Sequence, residues 1–158
     1  MTGQTLLRDV AQDDLPIFFE HQQDPGARHM VAFTSRDPND REAFMAHWAR
    51  ILADDGITKR TILLDGQVAG NILSFVWDGK PEVGYWIGRE YWGKGLATRA
   101  LTHFLKIVTS RPLYAQAAKD NTGSIRVLEK CGFIITGYVK SFANARGEEI
   151  EEAILELK

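Results

Sequence analysis

The chain has one cysteine in 158 residues, Cys131. An internal disulfide and a cysteine-rich metal site are therefore both excluded. It also lacks charge of either sign in excess: 19 Lys and Arg against 21 Asp and Glu leave a net charge of −2. With a pI near 6.1 and no basic tail or charge block, nothing calls for nucleic acid or an anionic membrane as partner. Long apolar runs are missing as well, and none approaches the ~20 residues a membrane-crossing helix needs. The opening residues, MTGQTLLRDV, hold no apolar signal segment, so a cytoplasmic location is expected. The four histidines, His21, His29, His47 and His103, are scattered without metal-ligand spacing, and no metal is expected.

What is present is an ordinary globular composition, 44% apolar and 25% charged, with enough length to bury one sizeable core. Residues 1–158 read as a single domain. Its organising stretch is Glu82 to Lys106, EVGYWIGREYWGKGLATRALTHFLK. Val83, Tyr85 and Ile87 alternate with smaller or more polar residues, the period of a strand. Gly88 ends that run, and Gly93 and Gly95 bracket a tight turn. Ala97, Ala100, Leu101, Phe104, Leu105 and Val108 then fall on one helical face. A glycine turn feeding a helix start gathers unpaired N–H groups at the positive end of the helix dipole, which suits phosphate.

Two phosphate-binding patterns fail here. Gly88-x4-Gly93-Lys94 nearly spells the nucleotide P-loop, but Gly95 stands where a hydroxyl must hold Mg²⁺. The dinucleotide fingerprint fits at Gly93 and Gly95 and breaks at Thr98. A pyrophosphate held by backbone amides without metal remains, beside the plainer alternative that the glycines only make a turn.

The stretch YWIGREYWGKGLATRALTHFL resembles the acetyl-coenzyme A motif of the GNAT superfamily of N-acetyltransferases. That family's Arg/Gln-x-x-Gly-x-Gly/Ala falls on Trp92-x-x-Gly95-x-Ala97, with Trp in place of Arg or Gln. Trp-Gly-Lys-Gly is similar to the branch of ribosomal-protein alanine acetyltransferases. A second family element follows at Asn121-x-x-Ser124-x-Arg126-Val127-Leu128-Glu129-Lys130-Cys131-Gly132-Phe133. The two together span roughly the C-terminal half of the chain in the family's order.

The remaining elements read as follows. Thr5–Val10 is a strand, and Asp13 caps a short helix carrying Pro16, Ile17 and Phe18. Asp24–Pro38 has no sustained period and reads as a loop, yet its Met30, Val31 and Phe33 suggest that it folds over something. Asn39-x-x-Glu42 resembles a capping box for a helix with Phe44, Trp48, Ile51 and Leu52 on its apolar face. Thr58–Leu64, Val68–Trp77 and Glu82–Ile87 form a meander through Asp65-Gly66 and the turn Asp78–Pro81. After the long helix come a strand Leu113–Ala117, a helix from Asn121 closed by Gly132, and a hairpin of Phe133–Phe142 with Ile150–Leu157. Cys131, before that closing glycine, reads as packing. The order β-α-α-βββ-α-β-α-ββ is one α/β domain on a mixed, mostly antiparallel sheet flanked by helices. This is the acetyltransferase fold that the resemblance implies, including a splay between Glu82–Ile87 and Leu113–Ala117 that admits the pantetheine arm.

The resemblance also implies roles. Acetyl-CoA would be the donor, with pantetheine on the backbone of Tyr85, Trp86 and Ile87. Its pyrophosphate would lie on Trp92, Gly93, Lys94, Gly95, Leu96, Ala97 and Thr98. Asn121 would bond the pantetheine arm, or serve simply as a helix cap. The family's acid tyrosine, seven residues after that asparagine, is Leu128 here. Ser124, at the serine position of the ribosomal-protein-like branch, takes its place as the acid for the departing thiolate, or is a first-turn residue only. Glu82 is the leading base, if its register turns it toward the acetyl group. The expected activity is acetyl transfer to a primary amine, either a protein N-terminus or a small amino compound. A non-catalytic coenzyme A-binding or sensing module is the alternative. The oligomeric state is open, with a homodimer among the possibilities.

Overall fold

Two Asp-Gly pairs shape the first half of the sheet. Asp65 and Gly66 have φ of 51° and 81°, and Asp78 and Gly79 have 51° and 75°. Positive φ at both central residues makes the two-residue turn whose twist matches paired strands. In the computed structural model, which describes residues 3–158, these turns join β2 (Thr58–Leu64), β3 (Gln67–Trp77) and β4 (Lys80–Ile87). Ahead of them lie β1 (Thr5–Arg8), α1 (Leu15–His21), α2 (Pro25–Val31) and α3 (Arg41–Ala53). After them follow α4 (Leu96–Ile107), β5 (Leu113–Ala118), α5 (Thr122–Lys130), β6 (Ile134–Ala143) and β7 (Glu148–Leu157). The seven strands stand in the order β1-β2-β3-β4-β5-β7-β6, antiparallel throughout except where β4 meets β5.

A hydrophobic cluster packs on each face of the sheet. On one face Leu96, Ala100, Leu101 and Phe104 of α4 pack with Val83, Ile87, Leu113, Leu128 and Leu155. The helical periodicity of that segment is thus the periodicity of its buried side. Burying one such side chain fully contributes roughly 1.5–3 kcal/mol. On the other face Leu15, Phe18, Trp48 and Ile51 form a second cluster, with Phe44 and Leu52 against it.

Three local expectations are corrected. Pro25–Val31 is a helix, not loop: Asp24 accepts a hydrogen bond from the Ala27 N–H at 2.7 Å, and Pro25 opens the first turn. Asp-Pro is a helix-start signal as much as a turn signal, and seven residues are too few to show a period. The chain therefore has three helices before the meander rather than two. Asp40, not Asn39, caps α3, accepting from the Ala43 N–H at 3.0 Å, while Asn39 accepts from Arg28. Before α1, Asp14 and not Asp13 is the structural acid. It is buried and accepts from Arg8, the Ala11 N–H and the Thr61 hydroxyl.

Candidate active site

β4 and β5 are paired at a single position, Glu82 with Tyr114, and diverge beyond it. The Gly88 N–H donates to Ala69 O at 2.8 Å, and antiparallel pairing engages alternate residues. Trp86, Gly84 and Glu82 therefore turn their backbone polar groups to β3. Tyr85 and Ile87 turn theirs into the gap left by β5. Trp92 Nε1 donates to Ile87 O at 2.9 Å, which leaves the Tyr85 amide and carbonyl and the Ile87 amide facing it. Trp92, standing where the family motif has Arg or Gln, thus closes the end of β4. A cavity of about 510 Å³ occupies the gap. Its polar lining includes Tyr85, Gln116, Asn121, Ser124 and Glu152.

At the mouth of this cavity Gly93 and Gly95 hold φ of 77° and 72°, a region costly for any residue with a Cβ. Gly95 caps α4, and the Arg99 N–H donates back to its carbonyl. The amides of Leu96, Ala97 and Thr98 precede that first helical bond and have no acceptor within the helix. Trp92, Gly93, Leu96 and Ala97 line the cavity; Lys94, Gly95 and Thr98 lie on the turn just outside it.

Asn121 Oδ1 accepts the Ser124 N–H at 3.3 Å, so it does cap α5. It also stands in the cavity wall, and its cap engages only Oδ1. Ser124 Oγ lies 2.9 Å from the Tyr85 hydroxyl. Tyr85 is half-buried, and desolvation of its hydroxyl pushes the pKa up to about 12 despite the bond to Ser124. It stays protonated and can donate to Ser124. Sequence reasoning valued only the backbone of Tyr85; its period of two did place the ring on the α5 side, but the residue it meets lies 39 positions away.

The opposite face holds a second cavity, of about 540 Å³, reached between α1, α3 and the segment after α2. Val31, Phe33, Gly84, Tyr85 and Trp86 line both cavities, so the two meet at β4. Met30 also lines the first. The apolar residues of Asp24–Pro38 thus do cover the site. They are pinned there by the β6–β7 turn, where Asn144 Nδ2 donates to Thr34 O at 2.7 Å and Arg146 Nε to His29 O at 2.9 Å.

Glu82 is buried at 8% exposure on the face of Gly84 and Trp86, but it lines neither cavity. Burial raises its pKa, while Lys80 opposes the shift. Glu152 is equally buried and does line the first cavity. Burial raises its pKa, Glu82 adds to this, and Ser141 works against it. Sequence reasoning missed Glu152. Alternation sets it between Ile150 and Ile154, but Glu148 and Glu156 share that face, so the pattern alone did not single it out. Of the histidines, His47 borders the second cavity, its pKa lowered by partial burial and by Arg50. His21 is buried against Tyr91, while His29 and His103 are exposed. Among the described residues no group of His, Cys, Asp and Glu could hold a metal, and no helix is long and apolar enough to cross a membrane.

Residues 4–134 match the family model described as the acetyltransferase (GNAT) domain. The chain belongs to the GNAT family. As a GNAT protein it is an N-acetyltransferase, and the binding-only alternative gives way. It is 24% identical over 161 residues to the uncharacterized N-acetyltransferase p20 of Bacillus licheniformis, covering 95% of this chain and 90% of that one. A relative from Bacillus subtilis (strain 168), named "Putative ribosomal N-acetyltransferase YdaF", is 33% identical over 104 residues, 61% of this chain and 57% of its own. Among solved structures, Mycobacterium smegmatis RimJ in complex with CoA-disulfide shares the GNAT fold, with a TM-score of 0.77 and 22% identity. That likeness covers 98% of this chain and 82% of RimJ.

Proposed function

We propose that this enzyme transfers the acetyl group of acetyl-CoA to a primary amine, the α-amine of a peptide or of a small amino compound, by direct attack on the thioester. The observation that carries the reading is the splay of β4 from β5, with a cavity on each face meeting at Gly84–Trp86. The backbone of Tyr85 and Ile87 and the amide of Asn121 hold the pantetheine arm. The N–H groups of the Gly93–Thr98 turn take the pyrophosphate, and no metal is required because backbone supplies the donors. With the thioester in the first cavity and the amine in the second, nitrogen meets the carbonyl carbon beside β4.

The free amides of Tyr85 and Ile87 face the oxygen that gains charge as the C–N bond forms. Glu152 takes the proton that nitrogen loses. Burial suits it to this task, since a raised pKa makes a carboxylate a better base. As the C–S bond breaks, Ser124 gives its proton to the thiolate and draws one from Tyr85, which water then restores.

A carboxylate remains a weak base against a lysine ammonium. At pH 7 an α-amine of pKa ~7.8 is neutral in roughly one molecule in seven, a lysine of pKa ~10.4 in about one in 2,500. We therefore assign the α-amine as the preferred acceptor. The test is kcat/KM, read by thiol release, on matched peptides, one with a free N-terminus and one N-blocked with an internal lysine. At least a tenfold preference for the free N-terminus is expected. Preference for the blocked lysine peptide across pH 7 to 9 would overturn the α-amine assignment.

A further inference from the structure

The second cavity has a chemistry of its own. Its floor is apolar, with Trp48 and Ile51 at 3% and 5% exposure, and Phe33, Phe44 and Leu73 complete the walls. One polar side chain reaches that depth: Asn71, at 6% exposure. Asn71 is the cross-strand partner of Trp86, so the two side chains stand together on one face of the sheet. Trp86 lines both cavities, and its buried Nε1 has no hydrogen-bond partner. An indole N–H is a donor only and an amide offers both donor and acceptor, so this pair suits a carbonyl oxygen beside an N–H. A bare ammonium, which has donors only, would leave the indole donor unmatched. Charge narrows the ligand further. Among the residues lining this cavity there is no lysine or arginine, and Asp37 and Asp40 stand exposed at its rim. A free carboxylate finds no counter-charge there, whereas a neutral peptide carbonyl needs none.

We propose that the acceptor is the N-terminus of a peptide or protein whose first side chain is apolar and large. That side chain lies among Phe33, Phe44, Trp48 and Leu73, and the first peptide carbonyl is held by Asn71 and Trp86. The inference rests on the acetyl-transfer reading above and adds the class of acceptor. Selectivity follows from two costs. A charged first side chain must shed its water against apolar walls. An acceptor without the carbonyl leaves Trp86 Nε1 as unpaired as before.

The experiment uses the full chain, acetyl-CoA and a set of peptides identical but for a first residue of Phe, Leu, Ala, Asp or Lys. Two further acceptors are free phenylalanine and phenethylamine. Thiol release is measured at pH 8. Phe- and Leu-first peptides are expected to exceed Asp- and Lys-first ones at least tenfold in kcat/KM, mostly through KM, and free phenylalanine by a similar factor. In Trp86→Phe, and separately in Asn71→Leu, the ratio of kcat/KM for the Phe-first peptide to that for phenethylamine should fall at least fivefold. Coenzyme A affinity by calorimetry serves as the check on folding. Equal or better turnover of Asp- or Lys-first peptides would overturn this assignment while leaving acetyl transfer standing. An unchanged ratio in both variants would overturn the role given to Asn71 and Trp86. Thiol release with none of these amines, coenzyme A still binding, would overturn acetyl transfer to α-amines and this inference with it.

Discussion

The Tyr85 hydroxyl lies 2.9 Å from Ser124 Oγ, so β4 and α5 bring two oxygens to one point of the cavity wall. Either hydroxyl can donate in this pair; with the tyrosine held protonated by desolvation and donating, the serine has its own proton free to give. The acid that the family motif places at position 128 is absent, because Leu128 is core. A tyrosine from the facing strand stands near by instead.

Replacing these two oxygens tests the relay. Ser124→Ala should lower kcat by ~10²–10⁴-fold, the usual worth of a general acid. Tyr85→Phe should lower it by about tenfold, and the double variant should match Ser124→Ala, as members of one unit do. Coenzyme A affinity, measured by calorimetry, should barely move. A loss below about threefold in Ser124→Ala would leave it a capping residue, with thiolate protonated by water.

Gly95→Asp should abolish coenzyme A binding in a protein that stays folded. The substitution imposes φ of 72° on a residue with a Cβ and sets a carboxylate among the donors meant for pyrophosphate. Calorimetry with circular dichroism as fold control reads the outcome, and unchanged affinity would reduce Gly95 to a turn residue. The same titration on the native chain should give one affinity with and without a chelator.

As the proposed base, Glu152 would trade stability for function. Its folded pKa lies above the unfolded carboxyl's usual 4.5, mainly through burial. A carboxyl raised in this way favours the fold while protonated and loses that contribution as pH rises through its folded pKa. Glu152→Gln should therefore melt higher than the native chain at pH 7, with the gap closing as pH falls toward 4.5 and below. Its kcat/KM should fall at the same time, and the native chain's rise with pH above 4.5 should flatten. Glu82→Gln, buried alongside, should also melt higher; a larger loss of kcat there than in Glu152→Gln would move the base to Glu82.

Asp14 works in the opposite direction. Burial pushes its carboxyl up, but Arg8, the Ala11 N–H and Thr61 together hold it below its usual value. Such a group stabilises above the unfolded pKa and loses that contribution as pH falls through the folded one. Asp14→Ala should cost about 1–3 kcal/mol at pH 7, because the Ala11 N–H and the buried Thr61 hydroxyl lose their acceptor while the half-exposed Arg8 turns to water. Urea unfolding at pH 7 and again at pH 3 should show the difference shrinking with acid.

Much of this was legible in the sequence because it is local. Asp65-Gly66 and Asp78-Gly79 are turns by backbone preference alone. The face of α4 from Ala97 to Val108 is buried as its period requires, and Gly93 and Gly95 take the positive φ that only glycine adopts easily. Short elements escaped for the same reason: the two turns of α2 carry too little period to separate helix from loop, and neighbouring Asn, Asp and Asp-Pro pairs offer competing caps.

The site itself is only half local. The sequence by itself determined the glycine turn, the strand before it and the cap of α5, since each depends on residues a few positions apart. Only the tertiary structure decided what faces what. The β4–β5 splay depends on strands joined through α4, and the Tyr85–Ser124 contact on two elements across that gap. Glu152 reaches the cavity from the last strand, and Asn71 meets Trp86 through the β3–β4 register. Side chains distant in the chain are brought together by packing and register, and neither a period nor a motif specifies which of them will share a cavity.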